Sequence, residues 1–200
     1  MVDYRPMEHT QKHIITIAGK PGSGKSTTSK GLARSLGYLH FSSGDFFRAI
    51  GKERGFDVLA TNLLAEQEKA IDEAVDQKLR ELGAKEDQMV IDSRMAWHWM
   101  PYSFRVYLDL DLNVAAKRIL SHMDEARRAA EFIPDSEALY AKTLQDRLDS
   151  ETKRYMSLYN VNPYNPANYD LVVDTALHDI ETVQKIVLEA YSAWLGNQSN

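Results

Sequence analysis

The sequence predicts an α/β fold in three layers, a parallel sheet with helices on both faces, and three observations carry that prediction. Short apolar runs rich in β-branched residues alternate with longer stretches of helical spacing. The first of these runs ends in a glycine-rich turn that opens onto a helical stretch. At 200 residues and 44% hydrophobic content, the chain can bury such a sheet within a single domain.

Taken in order, Ile14-Ile15-Thr16-Ile17-Ala18 is short, mostly β-branched and followed by glycine, which suits a buried strand of a parallel sheet. The helix after it runs through Leu32, Ala33 and Leu36. Residues 38–42, 89–92, 104–109 and 169–174 read as four further strands. A helix over about 63–82 lies between the second and third, and another starts near Asn113, where Asp109 is placed to cap it. The last helix, about 180–195, carries Val183, Ile186, Val187, Ala190 and Trp194 at three- and four-residue steps, the stripe of a core-facing helix. Alternation of this kind builds right-handed crossovers and gathers ligands at the carboxyl ends of the strands.

The polar ends, residues 1–12 and 196–200, read as loose extensions. No run approaches the roughly 18 apolar residues of a membrane span, and the polar start lacks the apolar centre of a signal peptide, so a cytoplasmic protein is expected. The lack of cysteine removes disulfides, thiolate metal sites and cysteine nucleophiles. A net charge of -5 gives no general attraction to nucleic acid, and neither nucleic acid nor membrane is an expected partner.

Gly19-Lys20-Pro21-Gly22-Ser23-Gly24-Lys25-Ser26 has the spacing of a Walker A phosphate loop and the strand-to-helix context that the pattern requires. Glycines let successive backbone N–H groups point inward, and the helix N-terminus adds partial positive charge. Gly19, Pro21, Gly22, Ser23 and Gly24 would cradle the phosphates of ATP, and Lys25 would reach the β- and γ-phosphates. Ser26 would ligate Mg²⁺, and Thr27 would add hydroxyl and backbone contacts. The alternative is a glycine-rich turn that binds nothing. Motors, GTPases, transport ATPases and small kinases share this cradle. The chain has no Asn-Lys-x-Asp motif of a GTPase and is short for an AAA-type or motor ATPase, which leaves a small-molecule kinase as the expectation.

Ser42-Ser43-Gly44-Asp45 follows the second strand and precedes Arg48. This is the pattern of a capped helix whose Arg48, with Ser43 and Gly44 beside it, would meet an acceptor phosphate; a capped helix with a surface arginine is the plainer alternative. Val90-Ile91-Asp92-Ser93-Arg94 repeats the arrangement, with Asp92 placed to hold Mg²⁺ through water and Arg94 to clamp a phosphate. Arg147, Glu151 and Arg154 share one helical face. They form either internal ion pairs or a mobile set that closes over phosphoryl transfer.

In their order these pieces resemble the cytidylate kinases, in the short archaeal-type branch, over nearly the whole chain. The series runs from the phosphate loop through Ser43-Gly44 with Arg48, Ile71-Asp72-Glu73-Ala74-Val75-Asp76 and Val90-Ile91-Asp92-Ser93-Arg94. It continues with Arg147-x3-Glu151-x2-Arg154-Tyr155 and ends at Tyr169-Asp170-Leu171-Val172-Val173-Asp174-Thr175. The resemblance implies a P-loop NTPase fold on a five-stranded parallel sheet, with its core at about 13–42, 84–120 and 165–196. It adds a nucleoside-monophosphate-binding segment at about 43–83 and an arginine-bearing lid region at about 118–155. The ligands it implies are ATP, Mg²⁺ and CMP or dCMP, and a kinase of this size is expected to be a monomer.

Carried over by position, Ser43, Arg48 and Arg94 would meet the acceptor phosphate, Arg147 would bridge the donor and acceptor phosphates, and Arg118 would serve the ATP side. Glu151 and Arg154 would face the acceptor nucleotide. Lys25, Arg94 and Arg147 are then the catalytic set, and no general base is needed because the acceptor phosphate is already an anionic nucleophile. The chain departs from the family at Met95, where bacterial members have an aspartate that helps recognise cytosine. Asp72 and Asp76 share a helix face that is either solvated or placed to accept from the exocyclic amine of the base. Trp97, His98, Trp99 and Met100 form an aromatic group where the family pattern is smaller, and 121–138 is longer than the family's lid. A kinase for UMP, shikimate or dephospho-coenzyme A, and a regulatory nucleotide-binding ATPase, remain the alternatives.

Overall fold

The alternation in the sequence becomes an alternation in space, seen in a computed structural model that describes residues 12–56, 69–123, 134 and 136–198. The elements run β1 (Ile14–Gly19), α1 (Lys25–Leu36), β2 (Leu39–Ser42), α2 (Ser43–Glu53), α3 (Lys69–Lys85), β3 (Met89–Asp92) and α4 (Ala96–Trp99). They continue with β4 (Phe104–Asp109), α5 (Leu112–Ser121), α6 (Glu137–Tyr159), a 3₁₀ turn (Pro166–Asn168), β5 (Leu171–Asp174) and α7 (Ile180–Gln198). The strands form one sheet of order β2-β3-β1-β4-β5. Every pairing is parallel, as the sequence predicts.

Pleating sends alternate residues of the buried strands to opposite faces. Ile15 and Ile17 join Val106, Leu108 and Val173 against Leu32 and Ala33 of α1 and Val183, Val187 and Tyr191 of α7. On the other face Ile14, Met89 and Ile91 meet Leu79 of α3 and Ala96 of α4. Each of these large side chains contributes about 1.5–3 kcal/mol by burial, which is why the sheet forms from runs that are apolar throughout. The chain moves outward from β1 to β2, returns to β3, and crosses β1 to reach β4. The carboxyl end of β1 therefore lies at the switch point, where a crevice opens between diverging connections. Register aligns Ser42 with Asp92, Ile17 with Asp92 and Gly19 with Leu108, so one rim of the sheet carries the phosphate loop, the start of α2 and the end of β3.

Local chemistry corrects several expectations. α3 runs on to Lys85, beyond the expected end near 82, and the expected start at 63 lies outside the described residues. So does most of the long segment 121–138. Asp109 does not cap the helix after β4. That helix opens at Leu112, so the residue before it, Asp111, has the extended backbone of a cap and accepts from the N–H of Asn113 at 2.8 Å and of Val114 at 3.2 Å. Asp109 instead accepts from Leu110 N and lies 2.7 Å from Lys20 Nζ. Among the described residues no helix is long and apolar enough to cross a membrane.

Candidate active site

The phosphate loop is built by backbone geometry. Gly24, at φ 82°, takes the left-handed conformation that starts α1. A Cβ at Gly19 would lie 2.2 Å from Leu108 O, so only glycine allows β1 to approach β4 there. Lys25 Nζ donates to the carbonyl of Lys20 at 2.9 Å, which curls the ammonium back over the loop. Burial, then repulsion from Arg94, lowers its pKa to about 8, with Asp92 and Glu151 opposing. Ser23 Oγ is buried and has no hydrogen-bond partner among the described residues, an orphan donor suited to a phosphate oxygen. Ser26 Oγ donates to Asp92 Oδ2 at 2.5 Å, which sets two hard oxygens side by side in the manner Mg²⁺ requires. These residues fit the polyphosphate and metal that the sequence implies.

A cavity of about 730 Å³ adjoins the loop, bounded by Gly22, Thr27, Arg118, Tyr140, Arg147 and Thr175. That volume is within the range of small-ligand sites. Arg118 Nη2 donates to Thr175 O at 2.7 Å, and Thr175 Oγ1 donates to Asp109 O at 3.0 Å, so the ends of β4 and β5 hold the arginine at the cavity wall.

Beside the loop, side chains from distant segments converge. Glu151 on α6 is 6% exposed and bridges two arginines: Oε2 lies 2.7 Å from Arg94 Nε and Oε1 accepts from Arg147 Nε at 3.0 Å. Burial alone would raise its carboxyl, but Arg94 and Arg147 outweigh it and hold the pKa down at about 2. The internal ion pair expected on α6 does form, but on a face turned inward. One turn on, Arg154 Nε stands 3.2 Å from Asp72 Oδ2 on α3, yet neither atom has a hydrogen-bond partner among the described residues. Burial, reinforced by Asp76 and Glu151 and opposed by Arg154, raises the Asp72 pKa to about 6.

The reading of Asp72 and Asp76 as a solvated face fails, because they are 6% and 3% exposed. Asp76 Oδ1 accepts from Trp99 Nε1 at 2.9 Å and Oδ2 accepts from the Tyr159 hydroxyl, so each oxygen already has a partner. The structure thus brings Lys25, Ser26, Asp92, Arg94, Arg147 and Glu151 together, with Asp72 and Arg154 one step away. Ser42 caps α2 by accepting from Asp45 N at 3.2 Å, which leaves Ser43 and Gly44 on the first turn. Arg48 is exposed and pairs with Asp45 on its own helix. Sequence reasoning missed Tyr159 and Tyr164, and it named Thr175 only as the end of the last motif, without a role. The available signal for Tyr164 was its place in Asn162-Pro163-Tyr164-Asn165-Pro166, an aromatic held between two proline turns.

A family model described as an AAA domain matches residues 15–142. The match ends within α6, before Arg147. Curated relatives named cytidylate kinase align over most of their length. Those of Natronomonas pharaonis and Halobacterium salinarum are each 37% identical and cover 90% of both chains. That of Methanocaldococcus jannaschii is 37% identical over 88% of this chain and 96% of its own. Among solved structures, shikimate kinase from Aquifex aeolicus superposes with a TM-score of 0.56 at 22% identity, covering 90% of this chain and 96% of that one. A gluconokinase from Sinorhizobium meliloti gives 0.60 at 16%, covering 94% and 97%. These two share the fold.

Proposed function

This chain belongs to the cytidylate kinases, and we propose on that footing that it transfers the γ-phosphoryl group of ATP to CMP or dCMP, giving ADP and the nucleoside diphosphate. The observation that carries the proposal is the convergence on Lys25 of Arg94, Asp92, Glu151 and Arg147, drawn from β1–α1, the end of β3 and α6. Two further arginines beside the loop supply the charge that a second phosphate and the transferring phosphoryl group require, and the panel below separates transfer from hydrolysis.

In this reading the backbone N–H groups of the 19–24 loop other than Pro21 and the Lys25 ammonium hold the donor phosphates, and Arg118 serves the nucleotide at the cavity wall. Bound between Ser26 and Asp92, Mg²⁺ would supply charge neutralisation on the donor phosphates. Ser43 and Arg48, with Gly44 at the helix start, and Arg94 receive the acceptor phosphate. An acceptor oxygen then forms a bond to the γ-phosphorus as the bond to the β–γ bridging oxygen breaks, and ADP carries away that electron pair. Lys25 and Arg147 stabilise the charge that spreads over the equatorial oxygens. Segments 43–83 and 118–155 act as the monophosphate-binding segment and the lid, so that closure excludes water.

For the base, Asp72 and Arg154 are the pair with capacity to spare. Asp72 would accept from the exocyclic amine of cytosine while Arg154 donates to a ring acceptor. Asp76, each of whose oxygens already accepts one hydrogen bond, from Trp99 and Tyr159, has less acceptor capacity left for the base than Asp72. ADP release from ATP and Mg²⁺ should be stimulated by CMP or dCMP in a panel that includes UMP, AMP, GMP, shikimate and dephospho-coenzyme A. Stimulation by shikimate or UMP alone would keep the phosphotransferase and discard cytosine, and no stimulation by any acceptor would discard the reaction.

A further inference from the structure

Two features remain once phosphates and base have their ligands: the aromatic group at 97–100 and the loop that follows α6. They form one device. The Trp97 ring stands edge-on to Tyr169 with centroids 5.4 Å apart, Tyr169 lies 5.0 Å from Tyr107, and Tyr164 packs onto this cluster. From it, Arg94 is gripped at two points. Trp97 Nε1 donates to the Arg94 carbonyl at 2.9 Å, and Arg94 Nε donates to the Tyr164 hydroxyl at 3.1 Å. That hydroxyl in turn donates to Glu151 Oε2, the oxygen paired with the same Nε. The loop is itself tied: Tyr164 N donates to Asn162 Oδ1 at 2.9 Å, Asn168 Nδ2 donates to Asn162 O at 2.9 Å, and the Tyr169 hydroxyl donates to Pro163 O.

We infer that Tyr164 is a positioning residue for the transfer: it fixes the plane of the Arg94 guanidinium through Nε and so leaves Nη1 and Nη2 for the acceptor phosphate. The inference rests on the phosphotransferase reading above. An arginine recognises phosphate through two parallel N–H groups of a flat fork, so the orientation of that plane sets its grip. Glu151 alone pins Nε by charge, which tolerates rotation; the hydroxyl adds direction. Only a neutral phenol can accept from Arg94 and donate to Glu151 together, and burial holds the Tyr164 phenol well above its ordinary pKa.

The test is a double-mutant cycle on the full chain with ATP, Mg²⁺ and CMP. Tyr164→Phe keeps the ring and its packing. We expect it to lower kcat/KM for CMP about tenfold while KM for ATP stays within about twofold. In Arg94→Lys, which has no Nε to hold, adding Tyr164→Phe should cost less than about twofold. Equal losses in both backgrounds, or a matched rise of both Michaelis constants with a lowered melting temperature, would reduce Tyr164 to a packing residue and overturn the inference. Wild-type turnover with Tyr164→Phe unchanged would overturn it alone, whereas a wild type that no acceptor stimulates would overturn the phosphotransferase reading and the inference with it.

Discussion

The donor side and the acceptor side of this site are built by opposite means. The cradle at 19–26 is one contiguous stretch whose ligating groups are backbone N–H groups, aimed by the φ of Gly24 and the close approach of Gly19 to β4. The acceptor side has no such stretch. Its arginines and carboxylates come from α3, the end of β3 and α6, and they are held by one another through Arg94–Glu151, Arg147–Glu151 and Arg154–Asp72. Backbone geometry survives the loss of a side chain, whereas a buried ion-pair network does not. Function and stability should therefore separate on the donor side and fall together on the acceptor side.

The largest effect tests the donor half. Lys25→Ala should lower turnover by about 10²–10³-fold or more, because the point charge that meets the phosphates in the transition state is gone. Its one hydrogen bond to the described chain, to Lys20 O, is minor, so the circular dichroism spectrum and melting temperature should stay close to wild type. A variant that unfolds would mean that the loop depends on its lysine. One that keeps its turnover would remove Lys25 from the mechanism.

Glu151→Ala tests the acceptor half and should show the other pattern. It leaves the partly buried Arg94 without its carboxylate, a change that costs about 3 kcal/mol where the pair is mostly shielded from water. For a chain of this length that lowers the melting temperature by about 10 °C. Activity should fall about tenfold or more with it, chiefly through KM for the acceptor, since both Arg94 and Arg147 lose their holder. Thermal melting and acceptor kinetics on one preparation check both halves of the statement. A stable but inactive variant would make Glu151 a substrate ligand in its own right and blur the contrast.

The same contrast explains what was legible in the sequence. A motif whose groups are neighbours in the chain can be read from spacing, and so the phosphate loop, the five strands and the Ser42 cap were all visible. Arg147, Glu151 and Arg154 share a helix, so their common face was visible too, but whether it turned to solvent or inward depended on Arg94, more than fifty positions away. Asp72 and Asp76 failed for the same reason: the amphipathic spacing of α3 does not reveal that Trp99, Tyr159 and Arg154 arrive to cover them. Tyr164 belongs to no periodic element, and the two prolines beside it mark a turn without saying what the ring meets. The Asp109 error is of another sort. Two carboxylates two residues apart compete for one helix start, and the choice turned on the helix opening at Leu112.

The pH profiles of the two substrates give the smallest and most direct separation. On the donor side, Lys25 has a pKa lowered to about 8 by burial and Arg94. Above that pH the free enzyme loses the ammonium that meets the phosphates, so kcat/KM for ATP should fall toward tenfold per unit. On the acceptor side, burial raises Asp72 to about 6. As pH falls through that value the carboxylate gains a proton, loses part of its acceptor capacity and weakens its hold on Arg154, so kcat/KM for CMP should decline several-fold on the acid limb. The stability sign is fixed by the same shift. Because the folded pKa lies above the unfolded value of 3.8, the folded chain binds the proton more tightly, and Asp72 makes stability fall as pH rises from about 4 to 6 and level off above. Asp72→Asn should remove the acid limb for CMP and this slope together, while leaving the alkaline limb for ATP in place. An acid limb that survives the substitution would assign it to another group and take base recognition away from Asp72.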